Sequence, residues 1–244
     1  MRGSIVGVDG LAFGAARRAS RFATYVIYGR NYRAPLSPTK LYRVSPNEIE
    51  RIPVEKPSLP IPFITGVEDG DWDLETRRVR DDVVYRAFKQ RFDEGADWEE
   101  TDYHAFMQDR LRDTSTEWSG YETMDDVRRR YESLDRLYRA INRNGYVPQH
   151  ELQPDQQISF PSLNGTPVPL PPEFREIAAY VSRDGEFMWA AGMHRLCIAK
   201  LAAVERIPVR IRIRHEAWQR HRDAVSRGDV PPGTHPDTRD LSGK

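Results

Sequence analysis

The spacing of apolar residues divides the chain into short stretches with strand character and longer stretches with helix character. The run "KLYRV" at residues 40–44 is short and apolar, which predicts a strand. Ser45, Pro46 and Glu48 follow it in the pattern of a capping box, in which serine and glutamate side chains bond each other's backbone amides. The sequence therefore predicts a strand that leads directly into a short helical turn.

The clearest pattern lies towards the C-terminus. Two apolar runs, "EIAAYVS" and "EFMWAAG", are separated by "RDG", and Asp184-Gly185 is typical of a tight hairpin. "HRLCIAKLAA" has helical spacing, and "ERIPVRIRIRH" alternates strictly between apolar and basic residues. The predicted inward residues of this last strand are Val209, Ile211 and Ile213, and the predicted outward residues are Arg210, Arg212 and Arg214. The predicted order is strand, hairpin, strand, helix, strand.

Residues 74–144 have the periodicity of amphipathic helices, with apolar stripes opposite charged faces. Two proline-rich stretches, "PVEKPSLPIPF" and residues 148–172, are incompatible with regular structure and predict connectors. These features predict five segments: an N-terminal helical arm (1–39), an opening part of a split core (40–75), a helical insert (76–147), the main core (148–220) and a polar tail (221–244).

Composition and charge exclude some classes of protein, such as strongly basic nucleic-acid-binding proteins and disulfide-stabilised proteins. The 244 residues carry a formal net charge of zero, so no global field favours nucleic acid or anionic lipid. Between Gly192 and Gly228, however, nine Lys or Arg face three Asp or Glu. The single cysteine, Cys197, lies on the apolar side of a predicted helix and excludes an intramolecular disulfide.

The N-terminal stretch is apolar but interrupted by Asp9, Arg17, Arg18 and Arg21. It is too short and too charged to span a bilayer, and its charges do not follow the order of a signal peptide. We expect a short helix that packs on the domain or frays, in a cytoplasmic protein, with attachment to a membrane surface as the alternative.

Candidate chemistry centres on Gly192, Met193, His194 and Arg195, where a predicted strand passes into a helix. The first amides of a helix have no internal acceptors, and glycine allows an anion to approach the backbone closely. Arg195 offers a bidentate fork and His194 a second donor, so this turn is a candidate phosphate-binding site. A plain tight turn with a structural Arg195 is the alternative.

Taken together, "SRDGEFMWAAGMHRLCIAKLAAVERIPVRIRIRH" resembles the ParB/sulfiredoxin superfamily, whose members carry a hairpin, a G-x-H-R helix and an "IPV" strand in this order. "KLYRVSPNEIERI" resembles the opening strand and short helix of the same family. The resemblance implies an α+β fold, with a small mixed sheet, a nucleotide-binding core and a helical accessory region. It also implies binding of a nucleoside triphosphate with Mg²⁺, with Gly192, His194 and Arg195 matching the phosphate-binding motif and Met193 adding a backbone amide.

Some positions depart from the family pattern. Met193 stands where sulfiredoxin has its catalytic cysteine, so sulfinate repair is not expected. Ala191 replaces the acidic residue that usually precedes the glycine, and the chain after Trp218 is too short for the DNA-reading module of partition proteins. The expected function is nucleotide-phosphate binding, with hydrolysis or phosphotransfer as a further step. The alternative is a non-enzymatic module that binds a nucleotide, DNA or a protein partner.

Other residues have supporting roles in this hypothesis. Candidate general bases are Glu173 and Glu176. Candidate Mg²⁺ ligands are Asp71 and Asp73 in the stretch "EDGDWD". This stretch is more typical of a plain Asp/Gly turn that binds no metal. The expected supporting basic surface consists of Arg210, Arg212, Arg214 and His215.

Overall fold

The computed structural model describes residues 6–112, 123–152 and 170–241. Within them seven strands form one mixed sheet in the order β1-β7-β5-β6-β2-β4, and β3 also pairs with β7. The strands are β1 (Leu41–Val44), β2 (Arg51–Pro53), β3 (Gly66–Glu68), β4 (Thr76–Arg78), β5 (Ile177–Val181), β6 (Phe187–Ala191) and β7 (Ile207–His215).

Six α-helices accompany this sheet in the same described ranges, which confirms the α+β class predicted from the sequence. The helices are α1 (Val6–Ile27), α2 (Val83–Phe92), α3 (Asp102–Arg112), α4 (Met124–Asn144), α5 (Met193–Leu201) and α6 (Glu216–Arg227). No helix in the described part of the chain is both long and apolar enough to cross a membrane.

The predicted order of strand, hairpin, strand, helix and strand is confirmed by β5, β6, α5 and β7. β5 and β6 pair antiparallel, and β5 pairs parallel with β7. Gly185 closes the hairpin at φ 89°, and a Cβ there would lie 2.6 Å from the Trp218 ring. Glycine is therefore required at this turn by both backbone conformation and space.

The opening turn also follows the sequence. β1 ends before Ser45, whose hydroxyl accepts from the Asn47 amide, while the Glu48 carboxylate accepts from the Ser45 amide at 3.0 Å. The capping box is thus confirmed, although the turn from Pro46 to Glu48 is a single 3₁₀ turn. β2 follows at once, because the chain becomes extended where it pairs with β4 and β6.

One large apolar cluster joins the sheet to α2, α3, α4 and α5, so the predicted helical insert shares a core with the rest of the chain. The boundary predicted at residue 76 is displaced, because β4 (Thr76–Arg78) belongs to the sheet and the first helix, α2, begins at Val83. A smaller apolar cluster, which includes Trp72, Tyr180 and Ile213, lies apart from this core.

The boundary predicted at residues 220–221 is wrong. α6 runs from Glu216 to Arg227 through that point, and Asp237 and Thr238 are 1% exposed. The tail is held because buried cations in β7 and α6 bond to Asp237. The second proline-rich connector falls largely outside the described residues, as does the beginning of the N-terminal arm.

Candidate functional site

The turn before α5 has the backbone geometry that the sequence predicts. Gly192 adopts φ 86°, and a Cβ at this position would lie 3.2 Å from the Ile177 Cα. The first hydrogen bond of helix α5 runs from the Leu196 amide to the Gly192 carbonyl, and no side chain caps the start of the helix. Among the described residues no side chain caps the first amides of α5, those of Met193, His194 and Arg195, and phosphate binding by these amides stays a prediction.

The Arg195 side chain is buried and does not point into solvent at the turn before α5. This corrects the expectation that Arg195 offers its guanidinium to a phosphate. Arg195 is 7% exposed, and its guanidinium donates to the Tyr146 hydroxyl at 2.9 Å and to the Arg175 carbonyl. The Glu176 carboxylate lies 3.5 Å away, so the charge of Arg195 is already neutralised. Arg195 is a structural cation in this conformation and has no free fork for a phosphate.

His194 is likewise engaged with the helical layer. Its Nε2 lies 3.0 Å from the Tyr103 hydroxyl, and its ring packs beside Phe88. Burial, together with the positive charges of Arg130 and Arg195, lowers the pKa of His194 to about 3. The imidazole is therefore neutral near pH 7 and adds no positive charge to the turn.

The two candidate bases occupy different environments, and neither has a free carboxylate. Glu173 accepts two hydrogen bonds from Arg17 of α1, at 2.6 and 3.0 Å. Glu176 is 3% exposed and accepts from the Tyr146 hydroxyl at 2.9 Å and the Gln149 amide at 2.5 Å. The sequence prediction of a general base at either residue is therefore not supported by their contacts.

The carboxylates of the "EDGDWD" turn bind an arginine. Asp73 is 5% exposed and accepts from the side chain and amide of Arg183 at 2.7–3.1 Å, while Asp71 accepts from the same guanidinium at 2.8 Å. Burial alone would raise the pKa of Asp73, but the Arg183 hydrogen bonds outweigh it and lower the pKa. The candidate Mg²⁺ ligands are thus occupied, and no cluster of three potential ligands occurs within the described ranges.

The expectation of a basic surface on β7 is also wrong for two of its arginines. Arg210 and Arg214 are 6% and 0% exposed, because β7 lies inside the sheet and is covered on both faces. The alternation predicts the inward face correctly, since Val209, Ile211 and Ile213 are buried. The outward face, however, meets the segment before β3, where Arg210 donates to the Ile64 carbonyl, and the C-terminal tail, where Arg214 pairs with Asp237.

The buried β7 side chains differ in how well their polar atoms are satisfied. Arg214 is paired with Asp237, whereas the Nε of Arg210 has no hydrogen-bond partner in the part of the chain that the structure describes. Burial, with the nearby charge of Arg212, lowers the pKa of Arg210 to about 9. His215 bonds the Gly70 carbonyl and accepts from the Ala217 amide, so its ring caps the N-terminus of α6.

A different group of cations surrounds a cavity of about 360 Å³, which we call the cationic cleft. Its lining consists of Asn47, Glu50, Arg51, Arg78, Val79, Arg80, Tyr85 and Lys200. Four of these eight residues are cationic and one is acidic. Arg51 pairs with Glu186 outside the lining at 3.3 Å, whereas Arg78, Arg80 and Lys200 have no ion pair in the described ranges. This cleft is the strongest candidate site of the protein.

The fold places these cations through strand pairing. Arg51 of β2 and Arg78 of β4 are direct partners in an antiparallel pair, so two like charges lie opposite each other. Such a pair destabilises a sheet unless an anion lies nearby, and here the Glu186 carboxylate offsets the charge of Arg51 only. Lys200 reaches the same cleft from the last turn of α5, and burial lowers its pKa against the opposing effect of Glu50.

The sequence gives no motif for the cationic cleft. Its residues come from the turn before β2, from β2 and β4, from the turn between β4 and α2, and from α2 and α5. β4 is not predicted from the apolar pattern. Arg78 and Arg80 flank Val79, whose amide donates to the Glu50 carbonyl at 2.8 Å. Only that long-range pairing brings the two arginines to Glu50 and Arg51.

Cys197 lies in the core, as the sequence predicts, with 0% exposure. Burial raises the pKa of its thiol well above the ordinary value, so the reactive thiolate is suppressed. We expect Cys197→Ser to lower the free energy of unfolding by about 1–3 kcal/mol, because it buries a hydroxyl among apolar side chains. Urea unfolding measures this loss.

Cys197→Ala is the matched control, since it removes the sulfur without adding a polar group, and it should cost less than the serine variant. Iodoacetamide at pH 8 should label the wild-type thiol only after unfolding. Rapid labelling of the folded protein would show that Cys197 is accessible and would contradict its place in the core.

Comparison of the chain with protein-family models, with curated proteins and with solved structures finds no match in any of the three.

Proposed function

We propose that this chain binds a phosphate-bearing small molecule of the nucleotide class in the cationic cleft. The observation that carries the proposal is the set of four cations around one cavity with Glu50 as the single acidic lining residue. Guanidinium and ammonium groups are the usual protein donors to phosphate, and arginine adds bidentate geometry. An anion of higher charge than a carboxylate best balances this lining.

The electrostatics of the cleft favour an anionic ligand over an empty site. Arg51 and Arg78 lie opposite each other across β2 and β4, and only Arg51 has a carboxylate partner, Glu186. A phosphate beside these side chains adds an attraction to both and supplies Arg78 with a counter-charge. Burial lowers the pKa of Lys200, and a bound phosphate would give its ammonium group a counter-charge. Ligand binding therefore stabilises the fold by mass action.

The size and remaining lining of the cleft support a nucleotide. About 360 Å³ lies within the range of roughly 300–1,000 Å³ typical of small-molecule pockets. Tyr85 supplies an aromatic ring for a base or sugar, and Asn47 supplies an amide donor and acceptor. A bare inorganic phosphate would leave much of this lining uncontacted.

Membership of the ParB/sulfiredoxin superfamily stays a prediction, as does the nucleotide binding that the resemblance implies. The turn before α5 is a second candidate place for the same ligand class, favoured by the amides of Met193, His194 and Arg195, which no side chain caps among the described residues. Binding there would require Arg195 to leave Tyr146 and Glu176, whereas the cationic cleft needs no such rearrangement.

Hydrolysis or phosphotransfer would need a carboxylate beside the bound phosphate, and Glu50 is the carboxylate in the lining. Phosphate release that requires both Mg²⁺ and Glu50 would identify an enzyme. Nucleotide binding without turnover in wild type and Glu50→Gln would identify the non-enzymatic module.

The double variant Arg78→Ala/Arg80→Ala is expected to bind ATP, CTP or GTP roughly 100-fold more weakly than wild type, since it removes two charged donors. Calorimetric titration with each triphosphate, with and without Mg²⁺, measures the change. Both arginines are exposed and neither has an ion-pair partner in the described chain, so the fold should persist.

Arg43→Ala/Arg143→Ala is the matched control, because both arginines are exposed and lie outside the cleft. The control should bind like wild type. Equal affinity of the cleft variant and wild type would remove the ligand from the cationic cleft and favour the turn before α5. Preference for a duplex oligonucleotide over every triphosphate would instead indicate a nucleic-acid-binding surface.

A further inference from the structure

Helix α1 is docked by its polar side. Arg17 pairs with Glu173, Ser20 donates to the Phe63 carbonyl at 2.5 Å, and the Thr24 hydroxyl accepts from the Thr65 amide at 3.4 Å. Ser20 and Thr24 are 8% and 1% exposed. A surface helix normally turns its apolar stripe towards the protein, so this arrangement is inverted.

The opposite side of α1 carries large apolar residues in solvent. Phe22, Tyr25 and Val26 are 70%, 57% and 38% exposed, and their spacing places them on one helical face. We call these three residues the apolar face of α1. Such a face in contact with water indicates a surface that is covered in function.

The charge along this part of the chain is mainly basic. Residues 6–47, from the start of α1 onward, contain seven Lys or Arg and one acidic residue, Asp9, although the whole chain is neutral. Arg18 and Arg30 are exposed on α1 or directly after it, and the Arg30 guanidinium lies 5.8 Å from the centre of the Tyr25 ring. The partner that complements this region is therefore anionic and offers an apolar phase.

We propose that α1 is a membrane-surface anchor whose apolar face enters the boundary of an anionic lipid bilayer. Aromatic and aliphatic side chains would lie among the upper acyl chains while the arginines contact lipid phosphates. The helix lies on the membrane and does not cross it, in keeping with its charged residues and its bonds to Phe63, Thr65 and Glu173.

Two other partners fit these observations less well. A second copy of the chain would bring the same cationic helix against itself, which costs repulsion on both sides. A nucleic acid would satisfy the arginines but offers no apolar phase for Phe22 and Val26. An anionic bilayer satisfies both requirements at once.

The test is flotation of the full-length protein with vesicles. We expect the wild type to float with phosphatidylcholine vesicles that contain about 40 mol% phosphatidylglycerol and to stay unbound with phosphatidylcholine alone, because the attraction is electrostatic as well as apolar. Phe22→Ser/Tyr25→Ser should reduce the partition coefficient roughly tenfold or more, since it removes the two most exposed side chains of the apolar face of α1.

Ile61→Ser/Leu74→Ser is the matched control, because both residues are exposed apolar side chains outside α1. This variant should float like wild type, and circular dichroism should show that all three proteins are folded. Failure of wild type to float, or equal flotation of Phe22→Ser/Tyr25→Ser, would overturn the proposal. Light scattering provides a second check. A wild-type dimer that becomes a monomer in Phe22→Ser/Tyr25→Ser would also overturn the proposal, because it would show that two copies of the chain meet at this face.

Discussion

Asp237→Ala is expected to lower the free energy of unfolding by about 3–5 kcal/mol, the range found when one partner of a buried ion pair is removed. The Asp237 carboxylate accepts from Arg214 at 2.7 and 2.8 Å and from the Trp218 indole at 3.0 Å. Arg222 lies 3.1 Å from the same carboxylate. The variant leaves two buried guanidinium groups, Arg214 and Arg222, without their counter-charge.

Urea unfolding followed by tryptophan fluorescence measures this loss. Asp229→Ala is the matched control, because its pair with Arg227 is about half exposed on both sides, and it should change stability by less than about 1 kcal/mol. A cost for Asp237→Ala as small as that of the control would show that the tail after α6 is not part of the folded core.

The pH dependence has a definite sign. Burial alone would raise the pKa of Asp237, but Arg214, Arg222 and Trp218 outweigh it and hold the pKa well below its ordinary value of 3.8. A carboxylate with a lowered folded-state pKa contributes stability above its unfolded pKa and loses it as the pH falls. The cost of Asp237→Ala should therefore be complete at neutral pH and shrink below about pH 4.

Arg195→Ala is expected to destabilise the fold by a similar amount, about 3–5 kcal/mol at pH 8, and not simply to weaken a ligand site. The variant leaves the buried Glu176 carboxylate with Tyr146 and Gln149 but without the cation that balances it. Arg195→Ala/Glu176→Gln removes both charges and should recover part of the loss. Denaturant unfolding of wild type, Arg195→Ala, Glu176→Gln and the double variant gives the coupling energy.

Glu176 also gives this second prediction a pH signature. Burial raises its pKa above the ordinary value, against the lowering effects of the Gln149 amide and Arg195. Loss of Arg195 raises the pKa further, so the folded variant binds a proton more tightly than the unfolded chain. The cost of Arg195→Ala should therefore decrease as the pH falls, and a cost independent of pH would contradict the ion pair.

The same variant separates the two candidate sites. A variant that is as stable as wild type but has lost triphosphate binding would restore Arg195 to a phosphate cradle at α5. Loss of stability with ligand affinity retained in the folded fraction would support the cationic cleft, where Arg195 has no contact.

Local sequence patterns predicted the elements whose structure depends on neighbouring residues. The capping box at Ser45 and Glu48, the hairpin at Asp184-Gly185 and the glycine turn before α5 all form as expected. These features depend on backbone conformations and side-chain bonds over two to four residues, which the sequence specifies directly. Inward residues of β7 were predicted for the same reason, since a buried face requires apolar residues at alternate positions.

The sequence by itself thus determined the α+β class, the order from β5 to β7, the buried Cys197 and the turn at Gly192. Only the tertiary structure decided which charges are free. Alternation shows that Arg210 and Arg214 leave the inward face of β7, but it cannot show that a second layer covers them. Nor can it show that Arg195 meets Glu176 while Arg51 meets Arg78, because a charged group's role is fixed by the partners that long-range packing brings to it.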